Sequence, residues 1–228
     1  MHFDDSPCPT EKKLANFPKY IRRQTMARTL VQYEIFKRQV SVKGCVVECG
    51  VHHGGGVMAW AQFSAILEPY NYRRKIIGFD TFEGFPDVSD VDKTRPVVQA
   101  GMFKEDYNVL EELGASVQAF DENRFLNHIP KVQLVQGDAN ETIPAYIQSN
   151  PWLVVSLLYL DFDIYKPTAT ALEHLIPRMP VGAIIAFDEV CNENWPGETQ
   201  ALIESLELNH HRLECFPFEP NISFIQLQ

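Results

Sequence analysis

The chain has 228 residues, an apolar content of 45% and a formal net charge of −10. This length and composition fit one α/β domain that buries a sizeable core without disulfide or metal cross-links. The negative charge argues against a nucleic-acid partner, because binding to a polyanion needs clustered Lys and Arg.

The first predicted element is helical. From about Lys12 to Val40 apolar residues recur at helical spacing, with a break near Pro18. No strand pattern precedes this segment, so residues 1–43 are predicted to be an N-terminal helical extension. The main sheet is expected to begin after it, within residues 44–228.

Strands and helices then alternate, which predicts a mostly parallel sheet covered on both faces. The predicted strands are residues 45–50, 75–80, 131–138, 153–163, 183–190, 211–218 and 222–228. The predicted helices are 57–67, 141–149, 167–179 and 197–208, with further helical stretches between a polar region near 81–101 and His128. The last two strands follow each other closely, so a seven-stranded sheet with an antiparallel last strand is expected.

Acidic residues end each of the first five predicted strands. They are Glu48, Asp80, Asp138, Asp161 with Asp163, and Asp188 with Glu189. In an open α/β sheet, ligands bind beyond the carboxyl ends of the strands, and parallel strands place those ends on one edge. The sequence therefore predicts a ligand site with several carboxylates at this edge.

The stretch VVECGVHHGGG, residues 46–56, places a glycine-rich turn at the end of the first strand. Gly50 and Gly54 allow a tight turn and a close approach of a ligand to the backbone. Asp80, at the end of the next strand, suits the ribose hydroxyls of a nucleoside. The alternative is a plain strand–helix turn with an acid that caps a helix. A nicotinamide site is disfavoured, because His52 stands where the dinucleotide fingerprint has its second glycine.

Asp161, Asp188 and Glu189 are hard oxygen donors at adjacent strand ends, which favours a Mg²⁺ site. The alternative is that one acid points inward and the others cap helices. His52 and His53 are weaker metal candidates, because no third soft ligand lies near them in sequence. Neighbouring residues on a strand also point in opposite directions, so we expect one histidine to line the pocket and the other to be solvated.

Four segments together resemble the macrocin O-methyltransferase (TylF-type) family. They are VVECGVHHGGG, IIGFDTFEGFP, LLYLDFDIYKPTATALEHLIPRM and AIIAFDEVCNENWPGETQAL, which span roughly residues 44–207. The resemblance implies a Rossmann-like class I fold, with S-adenosylmethionine and Mg²⁺ as cofactors. It also implies that residues 1–43 act as a lid and that residues 44–228 form the S-adenosylmethionine-binding methyltransferase domain.

The resemblance assigns roles by matching position. The cofactor-binding residues would be Glu48, Gly50, Gly54, Asp80, Thr81, Phe82, Gly137 and Asp138. Asp161, Asp188 and Glu189 match the metal ligands, and Asp161 is also the candidate general base. At the second and third of these positions the family commonly has two aspartates, whereas this chain has Asp188 and Glu189.

The expected function is methyl transfer to a hydroxyl of a sugar or of a glycosylated or nucleotide-sugar metabolite. The alternative is a non-catalytic nucleotide- or sugar-binding module that keeps the fold, an alternative that the Glu189 departure favours. The family resemblance suggests a homodimer. Five cysteines without a CxxC motif favour a reducing cytoplasm, and no apolar stretch has the length of a signal peptide core or a membrane span.

Overall fold

The computed structural model describes residues 3–94 and 98–228. Its α-helices are Thr10–Ala15 (α1), Arg23–Gln39 (α2), Gly55–Leu67 (α3), Val109–Glu122 (α4), Ala139–Ser149 (α5), Tyr165–Leu175 (α6) and Pro196–Ser205 (α7). Its strands are Cys45–Cys49 (β1), Ile76–Asp80 (β2), Val132–Gln136 (β3), Val155–Leu160 (β4), Ile184–Phe187 (β5), Glu214–Phe216 (β6) and Glu219–Gln226 (β7). The predicted break near Pro18 is a short 3₁₀ turn, Phe17–Lys19, between α1 and α2.

The seven strands form one sheet in the order β3-β2-β1-β4-β5-β7-β6. Strands β1 to β5 pair in parallel, whereas β7 is antiparallel to both β5 and β6. The predicted fold class, a mostly parallel seven-stranded α/β sheet with an antiparallel last strand and an N-terminal helical extension, is confirmed. The predicted sixth strand is shorter than expected, because its pairing begins only at Glu214.

Helices cover both faces of the sheet. Every residue of β1 and β4 is buried, because alternate side chains along each strand enter different cores. Val46 packs on the face covered by α2, α3 and α4, whereas Val47 packs on the face covered by α5, α6 and α7. Ile35 and Phe36 of α2 are fully buried, so this helix of the N-terminal extension is part of the core.

The strand order turns back between β1 and β4, since β2 and β3 lie on one side of β1 while β4 and β5 lie on the other. At this switch point the ends of the central strands are hydrogen-bonded together. The Gly50 N–H donates to the Phe79 carbonyl at 2.9 Å, and the Asp161 N–H donates to the Cys49 carbonyl at 2.7 Å. The crevice beyond these ends is where such sheets bind ligands.

Within the described residues, no helix is both long and apolar enough to span a lipid bilayer.

Candidate active site

A cleft opens at the carboxyl ends of β1 to β4. The predicted cofactor and catalytic residues that line it are Gly50, Asp80, Thr81, Phe82, Gly137, Asp138 and Asp161. The other two predicted cofactor residues, Glu48 and Gly54, are not among the described residues that line the cleft. Glu48 is 2% exposed, and Gly54 caps the N-terminus of α3 in a left-handed conformation with φ +82°.

Gly50 is the point where the two halves of the cleft meet. It has φ +91°, and a Cβ atom at this position would lie 2.0 Å from the Asp161 carbonyl oxygen. No side chain fits there, so only glycine lets the end of β1 pass this close to the end of β4. The sequence predicted that a ligand approaches the backbone here, and that remains a prediction, since the neighbour in the structure is the backbone of Asp161.

The Asp80 carboxylate shapes the glycine-rich turn. Its Oδ2 accepts hydrogen bonds from the backbone N–H groups of Val51 and His52 at 2.7 and 2.8 Å. Its Oδ1 accepts one from the Phe82 N–H at 2.7 Å. A carboxylate has about four acceptor positions, so one remains available for a ligand hydroxyl. The predicted ribose contact of Asp80 is therefore compatible with its role in the turn.

Asp138 is the N-cap of α5. Its Oδ1 accepts hydrogen bonds from the Asn140 backbone N–H at 2.9 Å and from the Asn140 side chain at 2.8 Å. The sequence left helix capping open for Asp80 and for Asp161, Asp188 and Glu189, whereas the structure shows an acidic N-cap at Asp138. Asp138 also lines the cleft, so its predicted contact with the cofactor stays a prediction.

Glu48 lies under the glycine-rich turn and accepts a hydrogen bond from the Trp60 indole N–H. Burial raises the pKa of Glu48 to about 8, against the opposing effects of the Trp60 hydrogen bond and of Arg28. A Cβ atom on Gly56 would lie 2.5 Å from this carboxyl group, so the glycine makes room for it. Glu48 is thus a buried acid whose surroundings favour its protonated form.

Asp161 and Asp163 line the other side of the cleft. Asp188, Glu189 and Glu198 interact electrostatically with them, and we call these five residues the acid cluster. Arg28 reaches this cluster from α2, where its Nη2 donates to Asp161 Oδ2 at 2.7 Å and its Nη1 donates to Asp188 Oδ1 at 2.6 Å. The Tyr159 hydroxyl donates to the same Asp188 oxygen at 2.7 Å. Arg28 therefore joins two of the three predicted metal ligands.

Burial and nearby acids raise the pKa values of Asp161, Asp163, Glu189 and Glu198. Burial raises the pKa of Asp161 well above its usual range, and Asp188 raises it further while Arg28 lowers it. Burial and the charge of Glu189 raise the pKa of Asp163 to about 7. Like charges held close together disfavour simultaneous ionisation, so the cluster is a place where a cation or a proton is stabilised.

The acid cluster suits a hard divalent cation. Glu198 is fully buried and its Oε1 has no hydrogen-bond partner among the described residues, while its Oε2 accepts from the Glu189 N–H at 3.2 Å. An unpartnered buried carboxylate oxygen among other acids is what an oxygen-preferring ion such as Mg²⁺ can satisfy. The donor set fits this ion, although the Arg28 guanidinium lies between Asp161 and Asp188 in the structure.

The structure does not bring the three predicted metal ligands together as a compact trio. Among the described residues, a different trio has its ligand atoms mutually within 4.8 Å, namely His52, His53 and Glu105. His52 lines the cleft, as expected for one of the two histidines.

Several residues of the site were missed at the sequence level. They are Arg28, Tyr159, Glu198 and Glu105. Tyr159 and Glu198 lie within apparently ordinary strand and helix patterns, and Arg28 lies on a helix that comes before the first strand. Only the charge pattern could have pointed to Arg28. A row of acids at one edge of the sheet implies that a positively charged side chain elsewhere in the chain compensates them.

Comparisons with known proteins match this chain to O-methyltransferases. The family model described as Macrocin-O-methyltransferase (TylF) matches residues 22–204. Mycinamicin III 3''-O-methyltransferase of Micromonospora griseorubida is 29% identical over 153 residues, which are 66% of this chain and 56% of that protein. The 8-demethyl-8-(2,3-dimethoxy-alpha-L-rhamnosyl)-tetracenomycin-C 4'-O-methyltransferase of Streptomyces olivaceus is 29% identical over 65% of this chain and 53% of its own length. The chain thus spans about half the length of the curated relatives it matches.

Solved structures agree with this result. A structure of CalS11, a calicheamicin methyltransferase, has a TM-score of 0.94 and 37% identity, covering 98% of this chain and 87% of that chain. An apo structure of CalS11, described as a TDP-rhamnose 3'-O-methyltransferase, has a TM-score of 0.84 and 33% identity, covering 98% and 88%. NovP, an O-methyltransferase with 20% identity and a TM-score of 0.62, shares the fold, covering 89% and 80%. The fold is that of the Rossmann-like class I methyltransferases.

Proposed function

The chain belongs to the macrocin-O-methyltransferase (TylF) family, and from this premise we propose that it transfers a methyl group from S-adenosylmethionine to a sugar hydroxyl. The acceptor would be a sugar-containing small molecule, either a glycosylated metabolite or a nucleotide sugar. Support for this acceptor class comes from the names of the relatives, which give mycinamicin III, a rhamnosyl-tetracenomycin C and TDP-rhamnose as the molecules that are methylated. The observation that carries the proposal is the cleft, which is lined by Gly50 and His52 of the glycine-rich turn and by Asp161 and Asp163 of the acid cluster.

The cofactor would lie against the ends of β1, β2 and β3. Gly50 and Gly54 would admit its methionine part to the backbone, with Glu48 beneath the turn. Asp80, with Thr81 and Phe82, would hold the ribose side, and Gly137 and Asp138 would face the adenine. When bound, S-adenosylmethionine supplies an activated methyl group on a cationic sulfonium. An acidic cleft favours such a cation electrostatically.

Asp161 would accept the proton of the acceptor hydroxyl. Its carboxylate lies at the end of β4 within the cleft, and its raised pKa makes it a stronger base than an exposed aspartate. A sugar hydroxyl is a weak nucleophile near neutral pH, so removal of this proton as the oxygen attacks is the step for which the protein must provide. Holding the acceptor oxygen in line with the methyl group supplies much of the remaining rate.

Mg²⁺ would be held by Asp161, Asp188 and Glu189, with Glu198 next to them. A bound Mg²⁺ would supply positive charge close to the acceptor oxygen. Arg28 pairs with Asp161 and Asp188 in the structure. It would either release both carboxylates when the ion binds, or its guanidinium would supply the positive charge in place of the ion. Residues 1–43 would then act as a lid beside the acceptor, since α2 carries Arg28 to the cleft.

A homodimer in the cytoplasm completes the proposal. All five cysteines are free, and two of them, Cys191 and Cys215, are exposed, as suits a reducing compartment.

The second candidate is a non-catalytic nucleotide- or sugar-binding module. Two observations favour it: Glu189 replaces an aspartate that is common in the family, and Arg28 pairs with two of the expected metal ligands. Under this alternative the protein binds S-adenosylmethionine but shows no response to Mg²⁺ with any acceptor.

The first test is calorimetric titration with S-adenosylmethionine, followed by a methyl-transfer assay on TDP-rhamnose and on glycosylated metabolites with and without Mg²⁺. Binding followed by metal-stimulated transfer is expected. No heat at millimolar cofactor would refute the proposal, whereas binding without transfer to any of these acceptors would favour the binding module.

The second test is Asp161→Asn. We expect this variant to bind the cofactor normally but to lose turnover by about 10²- to 10⁴-fold, because the proton acceptor is removed. Its matched control is Asp90→Asn, a fully solvent-facing acid on a loop, which should turn over like the wild type. Normal turnover by Asp161→Asn would exclude Asp161 as the base.

A further inference from the structure

Two histidines of the glycine-rich turn meet a glutamate from the segment that precedes α4. The His53 Nε2 lies 3.1 Å from Glu105 Oε1, and the His52 Nε2 lies 3.5 Å from the same oxygen. All three side chains offer a ligand atom within 4.8 Å of the other two. Residues far apart in sequence thus bring two imidazoles and one carboxylate to one point at the mouth of the cleft.

The two separations between the histidine nitrogens and Glu105 suit a tetrahedral metal ion. When an ion binds nitrogen and oxygen ligands at about 2.0–2.1 Å, neighbouring ligands in a tetrahedron lie roughly 3.3 Å apart. The separations of 3.1 and 3.5 Å bracket this value. Two histidines and one glutamate are also a donor set used by zinc sites that keep a fourth position for water.

The backbone explains how neighbouring histidines point the same way. His52 has φ +47°, a left-handed conformation that breaks the alternation of an extended strand. Its ring therefore lies beside that of His53, with 3.9 Å between the ring centroids. Its N–H is held by Asp80 at 2.8 Å, which fixes this unfavourable conformation in place.

A second contact orients His53. Its Nδ1 is 2.8 Å from the Tyr107 hydroxyl, and the two rings stack with centroids 6.2 Å apart. Histidines that bind metals usually hydrogen-bond through the other ring nitrogen, which fixes the ring and leaves the ligating nitrogen free. Here that arrangement leaves Nε2 facing Glu105.

We propose that His52, His53 and Glu105 form a Zn²⁺ site that ties the segment 101–107 to the glycine-rich turn. Imidazole ligands favour Zn²⁺ over Mg²⁺, so this site differs in chemistry from the acid cluster. Phe103, from the same segment, packs against the His52 ring and lines the cleft beside it. An ion here fixes one wall of the cleft. Zn²⁺ binding needs neither the cofactor nor methyl transfer, so the proposal stands independently of the proposed function.

The test is a titration of the full chain with Zn²⁺ against a chromophoric chelator. The protein is first freed of metal with a chelator, and millimolar Mg²⁺ is present to occupy oxygen-rich sites. We expect one Zn²⁺ per chain at micromolar concentration or below, and at least a tenfold loss of affinity in Glu105→Gln and in His53→Gln.

Matched controls are Glu112→Gln, an exposed acid on α4, and His210→Gln, an exposed histidine paired with Glu207. Both should bind Zn²⁺ like the wild type. The proposal is overturned when the wild type binds no Zn²⁺ at these concentrations, or when Glu105→Gln binds it unchanged.

Amide hydrogen exchange measures whether the ion fixes the segment 101–107 to the glycine-rich turn. Zn²⁺ should slow amide exchange in the peptide that contains residues 101–107 in the wild type and not in Glu105→Gln. Equal slowing in both proteins would place the ion elsewhere and refute the site. A protein that fails to methylate any acceptor but gives the expected Zn²⁺ results would refute only the proposed function.

Discussion

Asp80 and Asp161 end the two strands that flank β1, yet their surroundings differ. The carboxylate of Asp80 accepts hydrogen bonds from three backbone N–H groups. These donors stabilise its charge, and the carboxylate in turn holds the glycine-rich turn in place. The carboxylate of Asp161 lies among other acids, and a single guanidinium faces it together with Asp188. When several backbone N–H groups surround an acid at a strand end, that acid holds a turn together and has a structural role. When several acids lie close to one another instead, they form a site for a cation or a proton.

Gly50 joins these two regions, and its substitution should have the largest effect. Gly50→Ala forces a Cβ atom to within 2.0 Å of the Asp161 carbonyl at φ +91°. Strain and overpacking together should lower the free energy of unfolding by about 4 kcal/mol. Urea denaturation followed by circular dichroism measures this change.

The control is Gly114→Ala, at a helical position where an added Cβ atom meets nothing within 4 Å. It should stabilise the chain by about 0.5–1 kcal/mol, since alanine is the better helix former. If Gly50→Ala and Gly114→Ala changed the free energy of unfolding equally, the ends of β1 and β4 would not be packed against each other as described.

A matched pair of amide substitutions separates the two kinds of acid. Asp80→Asn should destabilise the chain by about 2 kcal/mol, because one backbone N–H loses its acceptor. Glu198→Gln should stabilise it by on the order of 1 kcal/mol at pH 8, because it removes an unpartnered buried carboxylate.

The gain from Glu198→Gln has a defined pH dependence. Burial and the neighbouring acids raise the pKa of Glu198 well above its usual value. A carboxyl whose pKa is higher in the folded state gives stability that is complete below its unfolded pKa and is lost as the pH rises toward its folded pKa. The difference between variant and wild type should thus be small near pH 4 and grow at alkaline pH. Destabilisation by both amide substitutions at pH 8 would contradict the distinction between the two regions.

Arg28→Gln concerns the acid cluster alone and tests ion binding rather than folding. Without the guanidinium, Asp161 and Asp188 no longer have a competing partner, so Mg²⁺ should bind at least about tenfold more tightly, which is about 1.4 kcal/mol. Calorimetric titration with Mg²⁺ in the absence of cofactor measures this. The control is Arg38→Gln on the same helix, whose side chain is 36% exposed against 39% for Arg28. An unchanged Mg²⁺ affinity in Arg28→Gln would mean that the ion does not use these carboxylates.

The fold followed largely from the sequence pattern. Apolar strands such as Val46–Val47 and Leu157–Leu158 are buried on both faces, and this produces the continuous apolar runs that predicted a parallel sheet. The acids at strand ends were predictable for the same reason, since parallel strands end on one edge. The limits of α1 and of β6 were less accurate, because helix ends and edge pairing depend on partners outside the local sequence.

The contacts of the site were less predictable. Nothing near Arg28 in sequence indicated that it would reach Asp161 and Asp188, which lie 133 and 160 residues away along the chain. His52 and His53 were expected to diverge, because strand alternation was assumed where the backbone is in fact left-handed. Glu105 lies after the polar region near 81–101, in a part of the chain for which only helical stretches were predicted, and nothing near it in sequence indicated that it would reach the two histidines.

The sequence by itself determined the order of strands and helices, the edge at which acids collect and the family of the chain, because these depend on local periodicity and on motif residues. The tertiary structure alone decided which acids are satisfied by backbone donors and which face Arg28, and it brought Glu105 to the two histidines. Hydrogen bonds and charges act over a few ångströms in space, and only the folded chain sets those distances between residues far apart in sequence.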